Sequence, residues 1–291
     1  MSLDFSKIGV AGEPYQLAWN SRDAMLYALG VGAGADDATE ELEYTTENSE
    51  GIAQQVLPTF GALLSQSVKP PTLGNFDPAL VVHADQQFEL HDPIPVSGSV
   101  HATATVVEVH DKGSGALARR EIVAVDDATG RVLVTARSGV FIKGEGGFGR
   151  SPSDDPSWEL PVREMDLRVQ QPVRPEQALV YRLSGDRNPL HSDPSVAGRG
   201  GFPRPILHGL CTYGFACRAL LRLIPRSDRP PLVSMYGRFT HPVFPGDTLV
   251  TTIWRDGAQS ALFRTTTASG TVVLDRGTFS WRTADAAEGE R

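Results

Sequence analysis

The sequence predicts an α+β protein built from two copies of one unit, each an antiparallel β-sheet curled around a long buried helix. Three observations lead there. First, the chain repeats itself. Ala24-Met25-Leu26-Tyr27-Ala28-Leu29-Gly30-Val31-Gly32 aligns with Ala178-Leu179-Val180-Tyr181-Arg182-Leu183-Ser184-Gly185-Asp186. Leu57-Pro58-Thr59 aligns with Leu207-His208-Gly209, and Phe88, His91, Pro93 and Pro95 resemble Phe239, His241, Pro242 and Pro245. The order is shared and the offset nearly constant, the mark of a duplicated unit. Second, Leu207–Leu223 is apolar on almost every face, so other structure must wrap it. Third, each half ends in four segments rich in Val, Thr and aromatic residues, separated by turn sequences. Sheets with one apolar face and a helix with no polar face solve each other's burial.

Each half has the same grammar: a short helix, a longer apolar helix, then strands. In the first half the strands are expected at Leu80–Leu90, Ser99–His110, Ala116–Val125 and Val132–Ile142. In the second, Pro175 and Glu176 open a helix that Ser184-Gly185 closes. Arg218 and Arg222, in the last turns of the long helix, suit the negative end of its dipole. Strands are then expected at Leu232–His241, Thr248–Arg255, Ala261–Thr267 and Val272–Trp281. The stretch from Lys143 to Pro161, rich in Gly, Ser, Pro and Asp, reads as an exposed linker. Domain boundaries follow: residues 1–143, a linker at 144–161, and 162–291. Gly144, Gly146 and Gly149 imitate a dinucleotide fingerprint, but Pro152 and Pro156 follow where that motif needs a helix to begin.

Composition narrows the function. The 291 residues suffice for two domains, and 40% hydrophobic with 21% charged residues is ordinary for a globular protein. A net charge of −8 disfavours nucleic acid as a partner, although local arginines could still bind a small anion. Cys211 and Cys217 lie six apart in an apolar run and read as reduced, buried thiols. No signal peptide, membrane span or peroxisomal ending is legible, so a cytoplasmic protein without membrane contact is expected.

The chemistry concentrates in Tyr181-Arg182-Leu183-Ser184-Gly185-Asp186-Arg187-Asn188-Pro189-Leu190-His191. Pro189 cannot continue a helix and bars Asn188 from helical geometry. Asp186, Asn188 and His191 therefore share a rigid turn, which can aim an acceptor and a titratable donor into one pocket. On spacing alone a plainer reading stands beside this one. Asp186 and Asn188 would simply cap the turn, and His191 would be a surface histidine near Asp193.

That string, followed by Ala197, resembles the signature of the hydratase 2, or MaoC-like, enoyl-CoA hydratases. The resemblance extends to Pro205-Ile206-Leu207-His208-Gly209 and to Arg238-Phe239-Thr240-His241-Pro242-Val243-Phe244-Pro245-Gly246-Asp247. Tyr27-Ala28-Leu29-Gly30-Val31-Gly32 and the region of His83 are similar too, so it spans both halves, as in the family's two-domain members.

The resemblance implies a double hot-dog fold and (R)-specific hydration of trans-2-enoyl-CoA, or the reverse dehydration. Asp186 and His191 would hold one water over the enoyl double bond, with His191 as base and Asp186 as acid, though spacing leaves that division open. Asn188 would orient the pair or the water. Gly209, near the start of the buried helix, would offer its amide to the thioester oxygen, while His208 beside it reads as structural. His83, Lys112 and Phe239 match family positions that contact the CoA thioester, Ala84 stands where the family has glycine, and Arg187 is grouped with them as substrate-binding. Gly32 replaces Asp186 in the first half, and Pro58-Thr59 replaces His208-Gly209, so one active site per chain is expected. No cofactor is expected, and the remaining histidines lack metal-ligand spacing. The expected partners are an acyl-CoA thioester and a second copy of the chain in a homodimer. Rival readings are an ACP-dependent 3-hydroxyacyl dehydratase, a hot-dog thioesterase and a non-catalytic acyl-CoA-binding protein.

Overall fold

The structure, a computed structural model, describes residues 3–76, 80–149, 158–225 and 232–282. In the first half, strand β1 (Tyr15–Trp19) precedes helices α1 (Ser21–Gly30), α2 (Leu42–Thr45) and α3 (Phe60–Gln66). Strands β2 (Val81–Leu90), β3 (Gly98–Asp111), β4 (Gly115–Asp126) and β5 (Val132–Lys143) follow. The second half runs β6 (Leu167–Pro172), α4 (Gln177–Tyr181), α5 (Pro194–Arg199) and α6 (Gly209–Leu221). It ends in β7 (Leu232–Phe239), β8 (Thr248–Gly257), β9 (Ser260–Thr267) and β10 (Val272–Arg282).

The two sets of strands form one ten-stranded antiparallel sheet in the order β1-β3-β4-β5-β2-β7-β10-β9-β8-β6. Exchanging each first-half strand for its second-half counterpart reads this order backwards, so the repeat in the sequence appears as a local two-fold. Its seam is the β2–β7 pairing, Asp85 opposite Arg238 through Glu89 opposite Ser234. The sheets expected as two are thus continuous. One extended core serves both halves, because the apolar residues of β2 and β7, such as Phe88 and Met235, are fully buried in it.

Helix α6 lies inside the curl, with all eleven residues from Leu210 to Leu220 buried. It begins two residues later than its apolar run, since His208 is extended, and ends at Leu221. Its counterpart α3 is shorter, at seven residues, than the ten of α1. The short-then-long order expected of each half is therefore reversed in the first. Arg218 does more than meet a helix dipole. It is buried and reaches across the halves to Glu41 (Nε to Oε1, 3.0 Å) and to the Val31 carbonyl (3.0 Å). Arg222, at the C-cap, is exposed.

Two strands escape the sequence reading. Tyr15–Trp19 and Leu167–Pro172 are the sheet's edges, five and six residues long and mostly exposed. Both are short; the first buries only Trp19, and the second buries Val169 and the polar Gln171, so neither carries a long apolar pattern. The linker departs from expectation at both described ends. Gly147 and Gly149 donate backbone N–H groups to Asp111 (2.9 and 2.7 Å), Phe148 packs on Phe5, and Trp158 Nε1 donates to the Gly277 carbonyl (3.3 Å). No helix follows the glycines through Gly149. Pro152 and Pro156 lie outside the described residues. Among those described, no helix is long and apolar enough to cross a membrane.

Candidate active site

Helix α4 ends at Tyr181, and one tight turn (Arg182–Ser184) delivers the chain to Asp186. The Asp186 carboxylate, half-buried, accepts from the Asn188 backbone N–H through Oδ1 (3.1 Å) and from Gln66 Nε2 through Oδ2 (2.7 Å). Asn188 caps the Pro189–His191 turn, its side-chain oxygen accepting from the Leu190 N–H (3.1 Å). The two capping contacts of the plainer reading are thus both present. They aim His191 inward, where it is only 9% exposed, and Asp193 instead caps α5.

His191 Nδ1 lies 2.8 Å from the Ile206 carbonyl oxygen. A carbonyl only accepts, so Nδ1 carries the hydrogen and Nε2 of the neutral ring presents a lone pair. Burial pushes the His191 pKa down, against the opposing pull of the Ile206 hydrogen bond and the Asp186 charge. His208, fully buried, stacks on His191 with ring centroids 3.8 Å apart at 28°. Its Nε2 donates to the Asp186 carbonyl (3.2 Å), tying the turn that carries Asp186 to the start of α6. Burial and the neighbouring His191 push its pKa down to about 3. These contacts are structural in kind.

Ligand-type atoms of Asp186, His191 and His208 all lie within 4.8 Å of one another. Stacked imidazoles direct their lone pairs side by side rather than to one point, and each ring already has a nitrogen at a backbone carbonyl. The trio suits a water better than a metal ion. Two hydrogen bonds of about 2.8 Å meeting at one oxygen span up to roughly 5 Å, so atoms within 4.8 Å of one another are close enough to share a water.

Gly209 is the first residue of α6, and His208 at the N-cap gives the helix no side-chain cap. First-turn N–H groups are thus left for a ligand, at the positive end of the dipole. A Cβ on Gly209 would stand 3.2–3.5 Å from the Phe239 ring, so the bare backbone here faces a close aromatic wall.

Comparison with known proteins completes the picture. Residues 17–144 match the MFE-2 hydratase 2 N-terminal domain, and residues 159–276 match the MaoC-like domain. The 3-hydroxyacyl-thioester dehydratase Y of Mycobacterium tuberculosis is 43% identical over 95% of this chain and 98% of its own. The peroxisomal enoyl-CoA hydratase 2 of Arabidopsis thaliana is 38% identical over 83% of each. The chain belongs to the hydratase 2, MaoC-like family. A MaoC-like dehydratase from Phytophthora capsici superposes with a TM-score of 0.86 at 30% identity, covering 98% of this chain and 100% of that one. A Mycobacterium tuberculosis protein described as a double hot-dog fold covers 93% of this chain and 96% of its own, with a TM-score of 0.58 and 18% identity. It shares the fold, which is the one expected.

Within this hydratase 2 chain the remaining predicted residues divide. His83 and Phe239 come together, rings 4.8 Å apart, although one lies on β2 and the other on β7. The His83 Nε2 is buried without a partner, and burial with the nearby Arg120 pushes its pKa down to about 4. Ala84 occupies the bulge between His83 and Asp85, where the β2–β5 register shifts. Arg187 and Lys112 are exposed. Lys112 sits in the β3–β4 turn, separated from β2 by β4 and β5, at the end of the sheet where Asp111, Ala116, Ile142 and Val81 are in register. In the first half, a side chain at Gly32 would overlap the Phe215 ring from α6, and φ there is +82°. The position matching Asp186 has no room for a carboxylate.

The sequence reading missed Gln66 and Ile206. Gln66 is one polar residue at the end of an apolar run, and Ile206 acts through its carbonyl, so neither leaves a side-chain signal in the catalytic motif.

Proposed function

We propose that the chain hydrates trans-2-enoyl-CoA to (3R)-3-hydroxyacyl-CoA and runs the reverse dehydration, with Asp186 and His191 as its acid–base pair. The hydration–dehydration chemistry is that named in its relatives, which include a 3-hydroxyacyl-thioester dehydratase and enoyl-CoA hydratases. In hydration, His191 Nε2 takes a proton from the bound water while its oxygen attacks Cβ. Negative charge moves to the thioester oxygen, where the Gly209 amide and α6 dipole stabilise it. Asp186 delivers a proton to Cα. The pair thus carries one proton between its members, on Asp186 before the reaction and on His191 after it. Transfer across the gap resets it. Dehydration retraces these steps, with the Asp186 carboxylate removing the Cα proton.

One observation carries the division of labour: the His191 Nδ1 to Ile206 hydrogen bond, which leaves Nε2 as the acceptor. Asn188 acts by capping the turn. His83, Ala84, Phe239, Lys112 and Arg187 are read as the CoA-side contacts, the first three beside the Gly209 end of α6. The first half shelters the acyl chain, in a homodimer acting in the cytoplasm. The buried free thiols of Cys211 and Cys217 suit a reducing compartment.

The test follows loss of the conjugated enoyl-thioester absorbance with purified protein and trans-2-enoyl-CoA, with chiral analysis of the product. Asp186→Asn and His191→Ala should each lower kcat by roughly 10²–10⁴. Near-normal rates in both variants would overturn the assignment, and an (S) product would overturn the stereochemistry.

A further inference from the structure

We infer that Gln66, from the half without an acid–base pair, is a positioning residue for Asp186 in both of that carboxyl group's protonation states. The inference rests on the acid–base reading above. Gln66 is the last residue of α3, and its Nε2 lies 2.7 Å from Asp186 Oδ2. No other side chain donates to that oxygen among the described hydrogen bonds, since Oδ1 is taken by the Asn188 N–H. The contact bridges 120 residues of sequence and joins the two repeats at the reacting group.

A second observation concerns the other end of the amide. Gln66 Oε1 is buried and lacks a hydrogen-bond partner. A buried, unpaired amide oxygen is costly and calls for a reason. Asp186 supplies one, because it alternates between carboxylate and carboxylic acid during turnover. Toward the carboxylate Gln66 donates through Nε2. Toward the acid, rotation of the amide presents Oε1 as acceptor for the new O–H. An amide offers both a donor and an acceptor without carrying charge. Arg or Lys would hold the carboxylate alone, and a carboxylate would repel it.

The short α3 fits this role. It ends at Gln66, where its counterpart α6 runs to thirteen residues. Asp186 is in turn tied through its carbonyl to His208, the N-cap of α6. The end of one central helix and the start of the other therefore grip the same aspartate from opposite sides of the repeat.

The experiment measures hydratase kinetics of wild type, Gln66→Met and Gln66→Glu from pH 5 to 8, with melting temperatures for each. Gln66→Met keeps the side-chain length but loses both hydrogen-bonding ends. Its kcat should fall roughly 10- to 100-fold, as for loss of a hydrogen bond to a charged group, with KM changed less than about threefold. Gln66→Glu should approach wild type at the acid end, where its protonated carboxyl donates to Asp186. It should lose activity relative to wild type as pH rises, because two adjacent carboxylates cannot both ionise cheaply. A Gln66→Met kcat within threefold of wild type, or a Gln66→Glu profile parallel to wild type, overturns the inference. Should Gln66→Met fail to fold, the Gln66→Glu profile decides alone. Absence of hydratase activity in wild type would instead sink the functional reading on which this one stands.

Discussion

Gly209→Ala separates the demands of folding from those of catalysis. The added Cβ would stand 3.2, 3.4 and 3.5 Å from three carbons of the Phe239 ring. Comfortable carbon contacts begin near 3.5 Å, so the ring must yield by about 0.3 Å. Phe239 is half-buried at the end of β7, with a neighbour at 4.8 Å in His83, and can give that much. Alanine is favoured over glycine in helices by up to about 1 kcal/mol, which offsets the crowding. The melting temperature should therefore move by no more than about 2 °C. On the proposed reading activity should behave differently, because a methyl group at the first residue of α6 would crowd a thioester oxygen approaching the first amides of that helix. Displacing one such donor costs roughly 10²–10³ in kcat. Stopped-flow hydration and calorimetry on the same preparation measure both quantities. A Gly209→Ala variant with kcat within threefold of wild type would refute the reasoning. So would a Gly209→Ala/Phe239→Leu double variant that regains full activity, since the loss would then have come from ring displacement.

Three further outcomes follow from the same geometry. Burial disfavours the His191 imidazolium, so the neutral base persists to lower pH than in a free histidine. The acid-side fall of hydration kcat/KM should have its midpoint below pH 6.5, and a midpoint above 7 would contradict a buried neutral base. His83 and His208 have folded pKa values pushed down to about 4 and about 3, against 6.5 unfolded. Between those limits the unfolded chain binds more protons, so stability is full above pH 6.5 and is lost as pH falls toward 4. Melting temperatures across that window should show it, with a shallower slope for His83→Gln. Arg218→Met leaves Glu41 without its buried partner, and breaking such a pair costs about 3–5 kcal/mol. A drop in melting temperature of roughly 10 °C is expected, and a drop below 3 °C would show that the pair does not bind the halves together.

What was legible in the sequence was whatever side-chain pattern encodes. All eight major strands lie within two residues of their expected bounds, because each is rich in Val, Thr and aromatic residues and is bounded by turn sequences. The duplication was legible as aligned motifs and reappears as a sheet order that reads the same from both ends. The edge strands were not legible, being five and six residues long with few buried apolar positions, one of the buried residues in the second being the polar Gln171. The turn carrying Asp186, Asn188 and His191 was legible through Pro189, and the structure adds that both capping contacts are made while His191 is buried. The His191 tautomer was not legible, since it depends on a carbonyl fifteen residues away that any side chain at position 206 could have supplied.

Under the proposed acid–base reading, the repeat also explains why a second half is kept without a second pair. Once Gly32 stands where an aspartate would, its empty space is taken by Phe215 from the middle of α6, and the halves can close on each other there. Gln177 then donates to the Leu29 and Gly30 carbonyls (2.9 and 2.6 Å), at the end of α1. Placing a carboxylate at position 32 would expel the Phe215 ring of α6 and force a left-handed backbone on a residue with a Cβ. The Gly32→Asp variant should therefore lose stability rather than gain a second site. Because Phe215 belongs to the helix that begins at Gly209, it should lose hydratase activity as well. Calorimetry with active-site titration tests this: a stable Gly32→Asp protein with doubled turnover per chain would show that the two halves are interchangeable, and the asymmetry argued from Phe215 would fall.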